Sequence, residues 1–213
     1  MIKVILCDDH ALIRRGIRDT LSDASDIEVI GEAGDYGELR SLMRQPGIEC
    51  DVLVLDINMP GRSGLDVLHV LKDEGSPVKV LIVSMYPEDQ YAIRSLRAGA
   101  FGYVNKGGDP QLLVQAVRTV AQGRKYVTPE IAQMLVESLT APVTEQAHQK
   151  LSDRELQTLV MIASGKRLSD IAEELMLSPK TVSVYRARVL EKLGLANNSE
   201  LTVYAIRNGL VES

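Results

Sequence analysis

The chain has 213 residues, of which 45% are hydrophobic and 25% charged. These ordinary values exclude a disordered or fibrous protein, and the length allows one large domain or two small ones. No apolar run approaches the ~20 residues of a membrane-spanning helix. Two aspartates follow the first apolar stretch too closely for a signal peptide. We therefore expect a cytoplasmic protein without membrane insertion.

The net charge of −5 is unevenly distributed along the chain. Residues 1–122 carry 13 basic and 18 acidic side chains, whereas residues 150–213 carry 9 and 8. Within 180–192 the basic side chains outnumber the acidic ones four to one. An acidic body followed by a locally basic segment indicates two parts with different partners.

Residues 1–122 alternate between apolar runs and helical patterns. The apolar runs predict five buried parallel strands at Ile2–Cys7, Ile27–Gly31, Val52–Leu55, Val80–Val83 and Phe101–Val104. The helical patterns cover Ala11–Ser22, 35–45, 64–73, 88–98 and 109–122. Five such βα units predict one α/β domain whose open parallel sheet is covered on both faces.

Residues 123–150 differ from the domain before them. Thr128 and Pro129 have the residue types that begin a helix, which we place at about 129–139. The polar stretch 140–150 shows no periodicity, and we interpret it as exposed linker. The predicted organisation is therefore a domain at 1–122, a linker at 123–150 and a second domain at 151–213.

The second domain is helical throughout its pattern, with four predicted helices. Ser152 and Glu155 form a capping box, and Ser178-Pro179 begins a helix that stops at Gly194. A last helix covers about Ser199–Asn208. Two short helices joined by a brief turn, the second of them basic, are typical of a helix-turn-helix.

Polar side chains follow four of the predicted strands at their carboxyl ends: Asp8 and Asp9, Asp56, Ser84 and Lys106. Open α/β sheets bind ligands at that edge, at the switch point in strand order, which lies between the first and third strands for the order 2-1-3-4-5. Three carboxylates there repel one another unless a cation neutralises them, and carboxylate oxygens suit Mg²⁺. One aspartate alone is more often a helix cap, but five polar residues at matching strand ends favour a site.

Residues 1–122 resemble the receiver domain of two-component response regulators, whose sheet is flavodoxin-like. The resemblance rests on Asp8-Asp9, the run Asp56-Ile57-Asn58-Met59-Pro60-Gly61, Ser84, and Tyr103-Val104-Asn105-Lys106. It implies that Asp56 accepts a phosphoryl group. It also implies that Asp9, Asp56 and the Asn58 carbonyl bind Mg²⁺, with Asp8 in the outer shell.

The same resemblance implies a switch. Ser84 stands where a hydroxyl binds the phosphoryl group, Lys106 where a lysine pairs with it, and Tyr103 at the switch aromatic position. Movement of Ser84 toward the phosphoryl group would vacate space for the Tyr103 ring. A tyrosine that simply packs in the core stays an alternative for Tyr103. The Gly107-Gly108 pair departs from the family pattern and loosens the loop after Lys106.

Residues 151–210 resemble the LuxR-type helix-turn-helix of the NarL/FixJ subfamily. The matching runs are Leu151–Glu155, Ile171–Leu175, Leu177–Val182 and Lys192–Gly194. The resemblance places Ser183, Val184 and Ala187 nearest base edges. Residues better suited to phosphate are Arg167, Lys180, Thr181, Tyr185, Arg186 and Arg188. Ser183, Tyr185 and Arg167 depart from the residues that the family often has, so the sequence preference is expected to be unusual and direct base readout to be modest.

Together these features predict a phosphorylation-controlled transcription factor with Mg²⁺ as cofactor. Its expected partners are a sensor histidine kinase, double-stranded DNA, RNA polymerase and, on activation, a second copy of the chain. We expect phosphoryl acceptance and loss at Asp56 but no turnover enzyme. A constitutive DNA-binding protein whose receiver is mainly a dimerisation scaffold is the alternative. A haloacid-dehalogenase-like phosphohydrolase is disfavoured, because Asn58 stands where that class needs an acid.

Two surfaces are candidates for dimerisation. In the receiver, Ile13, Ile17, Leu113 and Val117 lie on the first and fifth helices, although the same spacing suits a stripe that faces the core. In the second domain, Leu201, Tyr204 and Ala205 share a face of the last helix.

Overall fold

The computed structural model describes residues 1–86, 88–140 and 147–211. They form two compact units, Met1–Thr140 and Ala141–Ser213. Most of the predicted exposed linker, residues 141–146, lies outside the described residues, and the predicted boundaries at 122 and 150 stay predictions. Within the described ranges, no helix has the length and apolar character needed to cross a bilayer.

The first unit is built on a parallel sheet, whose described strands are β1 (Ile2–Cys7), β2 (Ile27–Ala33), β3 (Val52–Leu55), β4 (Lys79–Ser84) and β5 (Gly102–Asn105). Their order is β2-β1-β3-β4-β5, which confirms the predicted topology. The helices between the strands are α1 (Ala11–Ser22), α2 (Tyr36–Met43), α3 (Gly64–Asp73), α4 (Glu88–Ala98) and α5 (Pro110–Ala121).

The central strands are apolar at every position because both faces of the sheet are covered. All four residues of β3 are buried, as are the last four of β1. Alternate residues point to opposite faces, so Val4 and Val54 pack with the buried side of α5. Leu113 and Val117 belong to that core. The expectation that these two form a dimer surface is therefore wrong, because the sheet already covers their stripe.

The chain continues beyond α5 along the edge of the sheet. Tyr126 pairs with Gly102 of β5, and its backbone N–H donates to the Phe101 carbonyl at 2.8 Å. A Cβ on Gly102 would lie 2.9 Å from the Tyr126 Cβ, so this close approach requires glycine. The next helix is α6 (Pro129–Thr140), which packs against α4. The helix predicted at about 129–139 therefore exists and packs within the first unit.

The described part of the second unit begins with a 3-10 helix (Ala147–Lys150), followed by α7 (Asp153–Ala163), α8 (Leu168–Glu174), α9 (Pro179–Leu193) and α10 (Asn198–Arg207). The capping box of Ser152 and Glu155 begins α7. Ser178 caps α9, and Gly194 ends it in the left-handed conformation at φ 66°. These caps are local interactions, which is why the sequence located both ends of α9.

One face of α10 is internal. Leu201 and Ala205 are fully buried where α10 packs on α7. The half-buried Tyr204 hydroxyl lies 3.0 Å from His148 Nδ1 in the 3-10 helix. The predicted dimer surface at these residues is therefore wrong, because the face is part of the unit's own core. Val203 and Ile206 are the apolar side chains that α10 exposes.

Candidate functional site: an acid pocket and a recognition helix

The acid pocket, which we define as Asp8, Asp9, Asp56 and Lys106, lies at the carboxyl ends of β1, β3 and β5. Hydrogen bonding between parallel neighbours aligns the ends of β1 and β3, since the Asp56 backbone N–H donates to the Cys7 carbonyl at 2.8 Å. Lys106 Nζ lies 2.7 Å from Asp8 Oδ2 and 2.9 Å from Asp56 Oδ2. The structure therefore brings together residues that are up to 98 positions apart in sequence.

The loop after Asp56 is held tightly against the start of α3. Gly64 N–H donates to the Ile57 carbonyl at 2.9 Å. A Cβ at Gly64 would lie 2.0 Å from the Asp56 carbonyl oxygen, so only glycine allows this approach. Buried Ser63 and exposed Asp66 form a capping box that begins α3 at this point. The half-buried Asn58 lies in the loop that these contacts hold.

The electrostatics of the pocket disfavour a charged Asp56. Asp8 and Asp56 are each 3% exposed. Burial raises the pKa of Asp56 to about 6, with Asp8 adding to the rise and Lys106 opposing it. The one ammonium of the pocket thus pairs with two of its three carboxyl groups, Asp8 and Asp56, which leaves an excess of negative charge.

The donor set fits Mg²⁺. Asp56 Oδ1 is buried and accepts no hydrogen bond from any residue that the structure describes. Ligand atoms of Asp8, Asp9 and Asp56 lie within 4.8 Å of one another. A buried, unpartnered carboxylate oxygen is costly, and a hard cation would satisfy it.

Two residues that sequence reasoning did not assign to the site lie beside it. His10 caps α1 through its backbone position, and its Nδ1 lies 2.6 Å from Asp9 Oδ1. Arg14 donates to the Asp8 carbonyl, and its Nε lies 3.2 Å from Glu32 Oε2. The direct adjacency of His10 to the acid pair was the available signal, whereas the Arg14 contacts depend on tertiary packing.

The predicted switch residues are buried next to the pocket. Ser84 ends β4 in register with Asn105, the residue before Lys106, and its Oγ accepts the Tyr86 N–H at 3.3 Å. Tyr103 is fully buried, and its hydroxyl donates to the Tyr86 carbonyl at 2.7 Å. Ser84 and Tyr103 therefore both bind the backbone of Tyr86, in the segment that leads to α4.

In the second unit, α8, a turn and α9 form the helix-turn-helix. The turn contains Met176 in the left-handed conformation at φ 49°, where its N–H donates to the Glu173 carbonyl. The predicted DNA-contact residues that are exposed are Arg167, Lys180, Ser183, Val184, Ala187 and Arg188. All but Arg167 lie on α9, which we call the recognition helix. Arg167 begins α8 without a side-chain cap.

The other three predicted DNA-contact residues are half-buried. Thr181 Oγ1 lies 2.8 Å from the capping Ser178 Oγ, and Arg186 Nε donates to Asn198 Oδ1 of α10 at 2.6 Å. Tyr185 is half-buried without a contact that assigns it a role. Thr181 and Arg186 therefore contribute to the architecture of the unit.

An ion pair anchors the end of the recognition helix. Lys192 Nζ lies 2.6 Å from Glu155 Oε2, which is almost fully buried at the start of α7. Burial opposes ionisation of Glu155, but the hydrogen bonds from Lys192 and Ser152 prevail and lower its pKa. The exposed Lys192 is thus engaged in an ion pair within the second unit, although it adds to the basic count of the segment.

The fold and the pocket define a receiver domain, and the second unit is a helix-turn-helix. Two family models match accordingly: the response regulator receiver domain at residues 4–118 and the bacterial regulatory proteins of the luxR family at residues 149–205. The chain therefore belongs to the two-component response regulators of the NarL/FixJ subfamily.

The chain matches curated relatives over nearly their whole length. The chain is 39% identical to the response regulator GacA of Pseudomonas protegens, over 100% of this chain and 99% of that one. It is 40% identical to the response regulator UvrY of Escherichia coli, over 99% and 96%. Among solved structures it resembles RcsB of Salmonella enterica bound to the promoter rprA in the presence of the phosphomimetic BeF3⁻. That match has 27% identity, a TM-score of 0.64 and coverage of 95% and 97%.

Proposed function

We propose that this response regulator accepts a phosphoryl group on Asp56 from a sensor histidine kinase and, in that state, binds promoter DNA as a dimer. The observation that supports this proposal most is that the two carboxylate oxygens of Asp56 have different partners. Lys106 holds Oδ2 at 2.9 Å, while buried Oδ1 has no hydrogen-bond donor among the described residues. Lys106 thus fixes the carboxylate through Oδ2, and Oδ1 is left without a hydrogen-bond partner among the described residues.

In the proposed transfer, an Asp56 oxygen forms a bond to phosphorus while the P–N bond of the kinase phosphohistidine breaks. The electron pair of that bond stays on the imidazole nitrogen, which leaves. Mg²⁺ would be held by Asp9, Asp56 and the Asn58 carbonyl, with Asp8 in the outer shell. When bound there, the ion would supply neutralisation of charge on the transferring phosphoryl group. Lys106 would move its ion pair from Asp56 to the phosphoryl oxygens.

The response would pass through the Tyr86 segment. Ser84 Oγ now accepts the Tyr86 N–H at 3.3 Å, and donation of its hydroxyl to a phosphoryl oxygen would redirect it. Tyr103 holds the Tyr86 carbonyl from the other side. Because Tyr86 precedes α4, a shift of Ser84 is expected to reposition that helix and α6 packed on it.

The exposed face of the recognition helix supports DNA binding. Lys180 and Arg188 supply charge for phosphates, and Val184 offers an apolar contact to a thymine methyl group. RcsB has been solved on promoter DNA with a phosphoryl mimic, and its similarity supports the same arrangement here. The proposal also includes dimerisation, through surfaces other than the buried faces at Leu113 and Val117 and at Leu201 and Ala205. It includes contact with RNA polymerase as well.

Asp56→Asn tests the proposal, with Asp73→Asn as the matched control on the exposed end of α3. Full-length proteins are incubated with acetyl phosphate or a cognate kinase and Mg²⁺, and are separated by Phos-tag electrophoresis. We expect a shifted band for wild type and Asp73→Asn, and none for Asp56→Asn. A shifted Asp56→Asn band would mean a different acceptor. Promoter binding that is equal for wild type and Asp56→Asn after phosphorylation would favour the constitutive alternative.

A further inference from the structure

We propose that His10 provides a nitrogen ligand through which the acid pocket binds a transition-metal dication such as Ni²⁺ in addition to Mg²⁺. The inference rests on the proposed function, in that it takes the pocket to be a divalent-cation site. It concerns which ions that site accepts. His10 is not among the Mg²⁺ ligands that the receiver resemblance implies, which are Asp9, Asp56 and the Asn58 carbonyl, with Asp8 in the outer shell.

The geometry places the imidazole among the carboxylates. His10 Nδ1 lies 2.6 Å from Asp9 Oδ1 and 3.7 Å from Asp8 Oδ1. Ligand atoms of Asp8, Asp9, His10 and Asp56 all lie within 4.8 Å of one another. Metal–ligand bonds of about 2.1 Å put neighbouring ligands about 3 Å apart and opposite ligands about 4 Å apart. The 4.8 Å limit and the 2.6 Å contact each differ from these ligand distances by less than about 1 Å, so small side-chain adjustments would place the four donors around one ion.

Asp56 supplies an independent indication of a ligand. This side chain is 97% buried, given its 3% exposure, and its Oδ1 accepts no hydrogen bond from the described part of the chain. Its other oxygen is held by Lys106. This oxygen therefore belongs to a side chain that cannot turn to solvent, and the Asp56 carboxylate contributes a donor to the same group as the His10 ring.

The backbone holds His10 next to the pocket. Its N–H donates to Asp8 Oδ1 at 2.9 Å, and its carbonyl accepts the Arg14 N–H at 2.9 Å in the first turn of α1. The side chain itself is 55% exposed, so the ring can exchange its contact with Asp9 for a metal bond without disturbing the core.

The ligand types determine the ions. Oxygen-only sites suit Mg²⁺, whereas imidazole favours later first-row metals, whose affinity rises toward Ni²⁺ and Cu²⁺. A pocket of three carboxylates accepts Mg²⁺, and addition of one imidazole raises its preference for Ni²⁺. The site would then respond to transition-metal availability as well as to phosphorylation.

Isothermal titration calorimetry of the full-length chain with NiCl₂ and with MgCl₂ tests the inference without any activity readout. His10→Asn removes the proposed ligand. His69→Asn, which changes an exposed histidine on α3, is the matched control. Asp56→Asn assigns the binding event to the pocket. We expect His10→Asn to lower the ratio of Ni²⁺ to Mg²⁺ affinity at least about tenfold. His69→Asn should leave the ratio at the wild-type value.

Other outcomes separate the inference from the proposed function. A parallel loss of Mg²⁺ and Ni²⁺ affinity in His10→Asn would show that His10 only orients Asp9, and would overturn the inference. An unchanged ratio would overturn it as well. If wild type binds neither ion in an Asp56-dependent way, the proposed cation site itself fails.

Discussion

Asp8, Asp56 and Lys106 of the acid pocket are buried and form ion pairs, whereas the charged groups on the exposed face of the recognition helix face solvent. The side chains of Asp8, Asp56 and Lys106 are each less than 5% exposed and come from three strand ends. Lys180 and Arg188 are exposed and have no ion pair among the residues that the structure describes. The pocket thus depends on long-range packing, whereas the helix depends on a few local caps. Substitutions in the pocket should consequently affect stability and chemistry together, and those on the exposed face of α9 should affect DNA binding alone.

The largest effect is expected from a methyl group placed at Gly64, where α3 approaches the Asp56 backbone most closely. Gly64→Ala puts a Cβ 2.0 Å from the Asp56 carbonyl oxygen, which forces β3 and α3 apart. We expect the unfolding free energy of the first unit to fall by about 3 kcal/mol or more. Hydrogen exchange of β1 and β3 peptides, followed by mass spectrometry in the full chain, measures it.

Gly16→Ala provides the comparison for Gly64→Ala. Gly16 lies within α1 with open space around its Cα, so a methyl group meets no atom within 4 Å. Alanine there should stabilise the helix by about 0.5–1 kcal/mol. Wild-type stability in Gly64→Ala would contradict the tight contact between α3 and Asp56.

The second effect comes from charge buried in the pocket. The folded-state pKa of Asp56 is about 6, above its ordinary value of 3.8, so the folded state binds more protons between these pH values. The unfolding free energy of the first unit should therefore fall as pH rises from 4 to 6. Asp56→Asn removes this loss and should stabilise the first unit by up to about 3 kcal/mol at pH 7.

Measurement of the Asp56→Asn gain uses the same hydrogen exchange peptides with EDTA present. Comparison at pH 7 and near pH 4 separates the charge effect from packing, since the gain should vanish at the lower pH. An equal gain at both pH values would mean that Asp56 is not the group that titrates.

On the recognition helix, Arg188→Ala should weaken DNA binding without a change in stability. Loss of one phosphate contact is expected to lower affinity about tenfold and to make the salt slope shallower by about 0.9. Fluorescence anisotropy on promoter and scrambled duplexes across a salt series measures both. Arg124→Ala, an exposed residue of the first unit, matches the charge change and should alter neither quantity. An unaltered slope in Arg188→Ala would place the DNA on another face.

Val184→Ala refines this prediction at a smaller scale. The 43% exposed Val184 offers an apolar contact rather than charge, so its truncation should leave the salt slope unchanged. We expect an altered preference at one base pair, worth about 1 kcal/mol. Anisotropy with duplexes substituted at single positions tests it, and a uniform loss over all sequences would contradict direct readout.

The smallest effect lies in the turn between α8 and α9. Met176 has a left-handed backbone at φ 49° and is 71% exposed. Its backbone is therefore strained, and its side chain buries little surface that could offset the strain. Met176→Gly should raise the stability of the second unit by about 1 kcal/mol and leave DNA affinity unchanged. Hydrogen exchange in α8 and α9 measures the gain. A loss of stability would show that the Met176 side chain makes contacts that stabilise the second unit.

Local signals predicted much of this architecture. Apolar runs located β1 and β3 to the residue, and capping residues located the start and end of α9. Polar residues at strand ends predicted the acid pocket, because parallel strands present their carboxyl ends at one edge of the sheet. Each of these features is decided within a few residues of the chain or by a general rule of sheet geometry.

Which face of a helix turns inward was decided only by tertiary structure. The stripes at Leu113 and Val117 and at Leu201 and Ala205 have the spacing of any apolar face, and it is the sheet and α7 that bury them. Tertiary structure likewise decided the contacts of two basic residues on α9. Arg186 donates a hydrogen bond to Asn198, and Lys192 forms an ion pair with Glu155.

The sequence by itself thus determined the order of the elements, the type of chemistry at the pocket and the basic character of α9. Periodicity, capping and residue type are properties of neighbouring residues, so they can be recognised without a fold. The partners of Lys106, the position of the His10 ring beside Asp9 and the packing of α6 on α4 were decided only in three dimensions. Those contacts join residues distant in sequence or depend on side-chain direction, and their energy exists only once the chain has packed.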